Sequence, residues 1–339
     1  RVGAFRVVLE AMTDDGQKVT RETSFVRTEP LKLSEIPVSS PFSVQVHSAK
    51  GREGWDSANI VPVAAKLGAK WVRNSLRWSD IEDTVKGQYH FKPAQDEFVQ
   101  MLKDNDIELF FTAAHQNAFY ENWSEEFFEG FANYVVAVLD RYGDQIKWVE
   151  VGNEYNGATM GPPGTEAEKA QIYFDLLKTV YTKVKAVRPD VTVVAGATAL
   201  VGLPFHEELY RLGGLKYADA ISFHTYSADP NDTAETLKQL DALVKQYNDG
   251  ISKPLIVSEM GLATHKDDGA MNGYKNKYQA QYLVKRYVTG LAGGASLISL
   301  YDLMDDGLDL TQGEENFGIV RHEDNKDYGG FTPKWAYGA

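Results

Sequence analysis

Cysteine is absent from all 339 residues. That excludes disulfides, thiolate nucleophiles and cysteine-ligated zinc or iron–sulfur sites together. No apolar run approaches the roughly 18–20 residues needed to cross a bilayer, so a membrane span is excluded. Positive charge is scarce: 35 Lys and Arg stand against 48 Asp and Glu, a formal charge of −13. Nucleic acid and anionic membrane surfaces would both repel such a chain and are excluded as main partners. Several motifs are missing as well. No glycine-rich phosphate loop follows the first barrel-type strand, no Gly-x-Ser-x-Gly elbow occurs, and there is neither a His-x-His pair nor a zinc-binding helix motif.

What is present is ordinary for a globular protein. Hydrophobic residues make up 43% and charged residues 24%, so a sizeable core is available and global disorder is excluded. At about 100–200 residues per domain, the length suits one large domain or two modest ones. Aromatics reach 12%, with 16 Phe, 18 Tyr and 6 Trp. The chain begins with Arg1 rather than Met and shows no targeting pattern. It reads as a trimmed fragment, and an extracellular or cell-surface location is the expectation.

Residues 1–30 read as a β-hairpin. Phe5, Val7, Leu9 and Ala11 alternate with Arg6, Val8 and Glu10, Asp14-Asp15-Gly16 supplies a turn, and Val19 to Arg27 returns. A lone hairpin is at best marginally stable in water. It is therefore expected either to be the remnant of a larger β-sandwich or to brace the main domain. Residues 31–41, flanked and punctuated by Pro30, Pro37 and Pro41, read as a connector.

From residue 42 to 339 short apolar runs alternate with amphipathic stretches. The runs are Phe42–Val46, Trp71–Asn74, Ile107–Thr112, Lys147–Val151, Val191–Ala195, Ala220–Ser222, Pro254–Val257 and Ser296–Leu300. They start about 36 residues apart on average, above the roughly 30 that a βαβ unit needs. Helical spacing fills the gaps, as in Phe127, Phe131, Tyr134, Val135, Val138 and Tyr142, with Ser124 as N-cap and Pro189 ending a helix from Glu166 to Arg188. Eight strand–helix units point to a (β/α)8 TIM barrel. Its closing helix is the irregular unit, since only residues 333–337 could begin it.

Such a barrel carries its active site on the loops at the C-terminal ends of its strands. Polar residues gather there: His47, Arg73, His115, Asn153-Glu154-Tyr155, Thr198, His224-Thr225-Tyr226, Glu259 and Tyr301-Asp302. A single loop glutamate is ordinarily solvated. Glu154 and Glu259, however, follow the fourth and seventh strands, which lie roughly across the barrel mouth from one another. Two facing carboxylates are the minimum equipment for cleaving a glycosidic bond.

Asn153-Glu154 and Glu259 resemble the catalytic positions of clan A glycoside hydrolases, the retaining (β/α)8 enzymes. The resemblance extends to Val72-Arg73 with Trp78 and to His224-Thr225-Tyr226. Within the clan it is strongest with glycoside hydrolase family 39 and its bacterial relatives. Residues 301–307 and Glu315-Asn316-Phe317-Gly318 resemble those relatives' eighth-strand loop, and the likeness runs from about Pro41 to Tyr337.

The resemblance implies that Glu154 is the general acid/base, with a raised pKa, and Glu259 the nucleophile, kept ionised by hydrogen bonds and by Arg73. Tyr226 would donate to the nucleophile and Asn153 would bind the sugar 2-hydroxyl. His47, His115, His224, Trp78, Tyr155, Tyr301 and Asp302 complete the expected substrate contacts. Trp55, Phe119, Tyr120 and Trp123 are further candidate sugar platforms, whereas Trp71 and Trp148 sit on strands and belong in the core. One departure is Ile298-Ser299-Leu300-Tyr301, where the clan usually carries a tryptophan; Tyr301 would substitute. Asp302, Asp305, Asp306 and Asp309 form an acidic loop without the spacing of a calcium site and suit hydroxyl binding or solvation.

The expected activity is retaining hydrolysis of a β-linked poly- or oligosaccharide by double displacement, without metal or cofactor, by a monomer. Endo action is favoured because the segments 113–123 and 159–166 can wall a groove. The acidic charge weighs against strongly uronate-rich polymers. The competing readings are a metal-dependent barrel hydrolase drawing on His47, His115, His224 and an acid, and a non-catalytic carbohydrate-binding barrel.

Overall fold

The computed structural model describes residues 2–27, 29, 32–48, 55–265 and 272–339. Arg1, and Pro30 and Leu31 where the hairpin hands over to the connector, lie outside the described residues. Strands β1 (Gly3–Met12) and β2 (Lys18–Arg27) pair antiparallel, Phe5 opposite Phe25, as a separate two-stranded sheet. The turn closes by Gly16 N–H to the Thr13 carbonyl. This hairpin braces the C-terminal segment. Thr23 Oγ1 donates to the Tyr328 carbonyl at 2.9 Å, and Ser24 Oγ donates to that of Pro333.

Eight parallel strands then close a barrel: β3 (Phe42–Gln45), β4 (Trp71–Asn74), β5 (Glu108–Ala113), β6 (Ile146–Val151), β7 (Thr192–Thr198), β8 (Ala220–Thr225), β9 (Leu255–Met260) and β10 (Ala295–Leu300). Each expected apolar run overlaps one of them. Barrel closure pairs β10 with β3, Leu300 opposite Val44. Helices α1 (Ser57–Leu67), α2 (Trp78–Ile81), α3 (Pro93–Asp104), α4 (Glu125–Tyr142), α5 (Glu166–Val187), α6 (Leu203–Arg211), α7 (Thr233–Tyr247) and α8 (Asn272–Ala292) fill the connections.

Their starts are chemically specified. Asp56 caps α1 by accepting from Ala58 N–H at 2.9 Å, Ser124 caps α4 by accepting from Phe127 N–H at 3.1 Å, and Thr165 forms a capping box with Glu168 on α5. After β10 the chain does not return as an α-helix. It bridges Met304 to Val320 and Val320 to Pro333, then ends in a single 3-10 turn, Trp335–Gly338.

The barrel interior changes character along the strands. Near their N-terminal ends Trp71, Phe110, Val194, Ala220, Ile256 and Leu297 form one apolar plug, with Trp148 against it and the two indoles 5.1 Å apart. Side chains two residues on point the same way, and there the plug gives way to polar groups. Arg73, Thr112, Glu150, Ser222, Ser258 and Ser299 are all buried. Dry packing beneath and a polar ring above distinguish the two ends of the barrel.

Candidate active site

The polar ring is organised around the buried guanidinium of Arg73. Nη1 donates to Glu259 Oε1 at 2.6 Å and to Gln45 Oε1 at 2.8 Å; Nη2 donates to Asn153 Oδ1 at 2.9 Å. On its other side Nε and Nη2 both donate to Oε2 of Glu150, at 2.8 and 2.6 Å. Flanked by two carboxylates, Arg73 is held above its ordinary pKa, although burial pulls the other way. A charged, planar donor suits this role because it binds several acceptors at once.

Glu259, on β9, also accepts from the Tyr226 hydroxyl at 2.6 Å through its other oxygen. Burial pushes its carboxyl up. The charges of His224 and Arg73, with hydrogen bonds from Tyr226 and Arg73, more than offset this and hold Glu259 below the ordinary carboxylate range. Tyr226 itself moves the opposite way, well above 10, through burial and the neighbouring Glu259 charge.

Glu154 faces Glu259 across His224, whose Nδ1 lies 2.8 Å from Glu154 Oε1 and 3.4 Å from Glu259 Oε2. One oxygen of each carboxylate lies within 4.8 Å of the other. Glu154 is the more open of the two, its side chain 32% exposed against 10% for Glu259. It sits in a left-handed backbone conformation, φ +54°, as do Ala197 at +43° and His115 at +73°. Non-glycine residues adopt this region rarely. Gly152, at φ +87°, lets the chain enter the turn; a Cβ there would meet the Tyr155 ring at 2.8 Å.

A cleft of about 520 Å³ opens over the pair, with walls that include His47, Ser75, His115, Asn153, Met160, Tyr301, Glu314 and Phe317. It therefore gathers Glu154, Glu259, Arg73, Asn153, Tyr226, His47, His115 and Tyr301. His224 lies beneath as the link between the two carboxylates rather than as a hydroxyl contact, since it is wholly buried. Asp302 is buried too and stands behind His47, 3.6 Å from its Nε2.

Besides His224 and Asp302, two more expected substrate contacts, Trp78 and Tyr155, lie outside the cleft lining. Trp78 has no exposed surface; its ring packs among Tyr120, Phe127, Phe131 and Tyr134, and its Nε1 donates to Glu82 Oε2. Tyr155 is 1% exposed and packs against Trp123 and Tyr173. Both rings serve the core because the helices behind the barrel need large apolar partners. Trp55 and Tyr120 are buried likewise.

In the acidic loop only Asp309 is a solvated turn. Asp305 is buried against Lys334 at 2.5 Å, and Asp306 accepts from Trp55 Nε1 at 3.0 Å. The three histidines of the metal reading do not converge among the described residues: His47 clusters with Asp302 and Asp306, His224 with Glu154 and Glu259. Sequence reasoning missed Glu150, Phe317, Met160 and Glu314. The only available signal for Glu150 was a charged residue inside an apolar strand run.

The model of glycosyl hydrolase family 53 matches residues 111–332, about two-thirds of the chain and a span that includes both glutamates. The chain belongs to glycosyl hydrolase family 53. It is a clan A glycoside hydrolase, a glycosidase built on the (β/α)8 barrel and acting on carbohydrate.

Solved structures share the fold of this family 53 chain. A family 39 glycoside hydrolase from the gut symbiont Bacteroides cellulosilyticus WH2 superposes with TM-score 0.80 at 22% identity, covering 99% of this chain and 69% of that one. A monomeric beta-xylosidase from Caulobacter crescentus CB15 gives 0.67 at 16%, covering 88% and 67%. A family 1 b-glucosidase from Thermotoga maritima gives 0.63 at 14%, covering 91% and 97%. A comparison with curated proteins gives no match. The family 39 resemblance is thus carried by structure at low identity.

Proposed function

We propose that this glycosidase is retaining and cleaves a β-linked poly- or oligosaccharide by double displacement, with Glu259 as nucleophile and Glu154 as general acid/base. The observation that carries the reading is the short separation of the pair, an oxygen of each carboxylate within 4.8 Å of the other. Retaining enzymes hold their carboxyls ~5–5.5 Å apart, whereas inverting ones leave ~6.5–9.5 Å for a water.

The two steps follow from the geometry. Glu259, ionised and backed by Arg73 and Tyr226, attacks the anomeric carbon. Glu154, on the more exposed side, gives its proton to the departing glycosidic oxygen as that bond breaks. The resulting glycosyl ester on Glu259 is then opened by water, whose proton returns to Glu154. Asn153 is oriented by Arg73 through its amide oxygen, which leaves the amide nitrogen to donate to the sugar 2-hydroxyl. Tyr301 and Phe317, 5.5 Å apart and edge to face, supply apolar walls for sugar C–H faces.

Endo action is supported by the two long segments that meet at the cleft, one contributing Ala114 and His115 and the other Met160. A family 39-like substrate range is the finer form of the same reading, supported by the likeness in fold.

The test is a panel of β-linked polysaccharides with products sized by mass and the first-formed anomer read by proton NMR. Internal cleavage with a β anomer formed first is expected. An α anomer formed first overturns the retaining assignment, and release of single terminal units overturns endo action. Glu259→Gln should abolish turnover while keeping ligand binding; full activity in E259Q would remove Glu259 from the reaction.

A further inference from the structure

Glu150 on β6 takes no part in the two steps above, yet it is wholly buried and meets four donors. We propose that Glu150 is a positioning residue that fixes both members of the Glu154–Glu259 pair, one through a guanidinium and the other through a hydroxyl and a main-chain carbonyl. The proposal rests on the assignment of those two carboxylates made above.

The first arm runs through Arg73. Oε2 of Glu150 accepts from Arg73 Nε and Nη2, and from Thr112 Oγ1 at 3.2 Å. With that side of the guanidinium pinned, Nη1 is aimed at Glu259 Oε1, 2.6 Å away. The second arm runs through Ser222. Its hydroxyl donates to Glu150 Oε1 at 2.7 Å and accepts from Ala197 N–H at 3.0 Å; the Ala197 carbonyl in turn accepts from Glu154 N–H at 2.7 Å. Ala197 and Glu154 are both left-handed. Such backbone persists only where its surroundings over-determine it, and the Glu150–Ser222 bond supplies part of that constraint.

Glu150 also sets how much of the Arg73 charge reaches Glu259. Two carboxylates share one guanidinium. Removing the negative charge of Glu150 leaves the cation less compensated and turns more of its field on Glu259. Glu259 is faced by Arg73 from β4, Glu154 from the loop after β6, His224 and Tyr226 from β8 and its loop, and Tyr301 from the end of β10. Glu150 is faced by Arg73, Thr112, Ser222 and, from α5, Tyr173. Arg73 is the one permanent cation in either set among the described residues. A substitution at Glu150 is therefore felt at the nucleophile through a single intermediary.

The test compares Glu150→Gln, Glu150→Asp and Ser222→Ala in the full chain. Side-chain carboxyls are followed by carbon-13 NMR titration of glutamate-labelled protein, with the Glu259 signal assigned by its loss in E259Q. This readout needs no turnover, so it stands even if the assignment of roles fails; full activity in E259Q would signal that separate failure. In E150Q the Glu259 midpoint should fall by about half a pH unit or more. E150D, which keeps the charge, should return it toward the native value with kcat still depressed. S222A cuts only the second arm and should lower kcat with the Glu259 midpoint unmoved. Turnover is read on whichever 4-nitrophenyl β-glycoside the native protein hydrolyses. An unmoved midpoint in folded E150Q overturns the first arm. If E150Q does not fold, an E150D midpoint shifted as far as that of Arg73→Lys does the same. Native kcat in S222A overturns the second arm.

Discussion

Tyr226 donates its hydroxyl to Oε2 of Glu259 at 2.6 Å, while Arg73 occupies Oε1 at the same distance. The carboxylate is thus held at both oxygens, and each bond favours the ionised form. Tyr226→Phe removes one of them. Because that bond holds the folded-state pKa of Glu259 down, its loss raises the pKa. The acid limb of kcat/KM should then move to higher pH. A hydrogen bond to a charged group is worth about 1.5–3 kcal/mol, so kcat/KM should fall about 10–100-fold. A pH–rate profile on an aryl glycoside checks both; a limb that moves to lower pH would contradict the stated role.

Replacing Glu154 by Ala should cost about 10²–10⁴-fold on substrates with poor leaving groups, the range that general acid catalysis supplies. On aryl glycosides with strongly acidic leaving groups the first step needs no proton, and the loss should be much smaller. A steeper dependence of kcat/KM on leaving-group pKa in Glu154→Ala than in the native enzyme is the expected signature. A uniform loss across the series would point to damaged geometry instead.

Trp78 and Tyr155 separate core from cleft. Trp78→Ala deletes a wholly buried ring and should lower the unfolding free energy by about 3–5 kcal/mol, measurable by urea denaturation. Tyr155→Phe should leave KM within about twofold of native, since the buried ring packs behind the site and the substitution keeps that ring in place. A large rise in KM for Y155F would return Tyr155 to the substrate.

Lys334 and Asp305 form a buried ion pair in the segment that follows β10, and Lys334 also donates to Thr264 Oγ1 at 2.8 Å. Lys334→Met strands the Asp305 charge and should cost about 3–5 kcal/mol, whereas the double change K334M/D305L should cost clearly less than the two singles together. Unfolding free energies for the four proteins close the cycle. Additive losses would show that the charges do not interact.

Much of this architecture is legible in the sequence because strands buried on both faces leave short apolar runs, and eight of them at even spacing fit few folds. Glu154 and Glu259 are legible for a related reason: a charged residue at the very end of such a run has somewhere polar to point. Glu150 fails that criterion. It lies within its run, and only closure of the barrel brings Arg73 and Ser222 from other strands to meet it. The aromatics fail differently. Trp78 and Tyr301 carry the same local signal, and which ring faces the cleft is decided by helices far away in sequence, with α4 burying Trp78. Phe317 and Glu314 reach the cleft from an irregular segment that has no periodicity to read.

That segment has a further consequence. Tyr301, Glu314 and Phe317 line the cleft, Lys334 is locked beneath, and Gly338 abuts Val26 of the hairpin. One continuous strap therefore runs from the sugar-facing wall to the outer brace. Ligand binding and resistance to unfolding are linked along it: a sugar held against Phe317 at a hundred times its Kd adds about 2.7 kcal/mol to the folded state. A melting-temperature screen of oligosaccharides on the E259Q protein, expected to bind without turnover, would then identify the natural ligand by heat alone, before any product is seen.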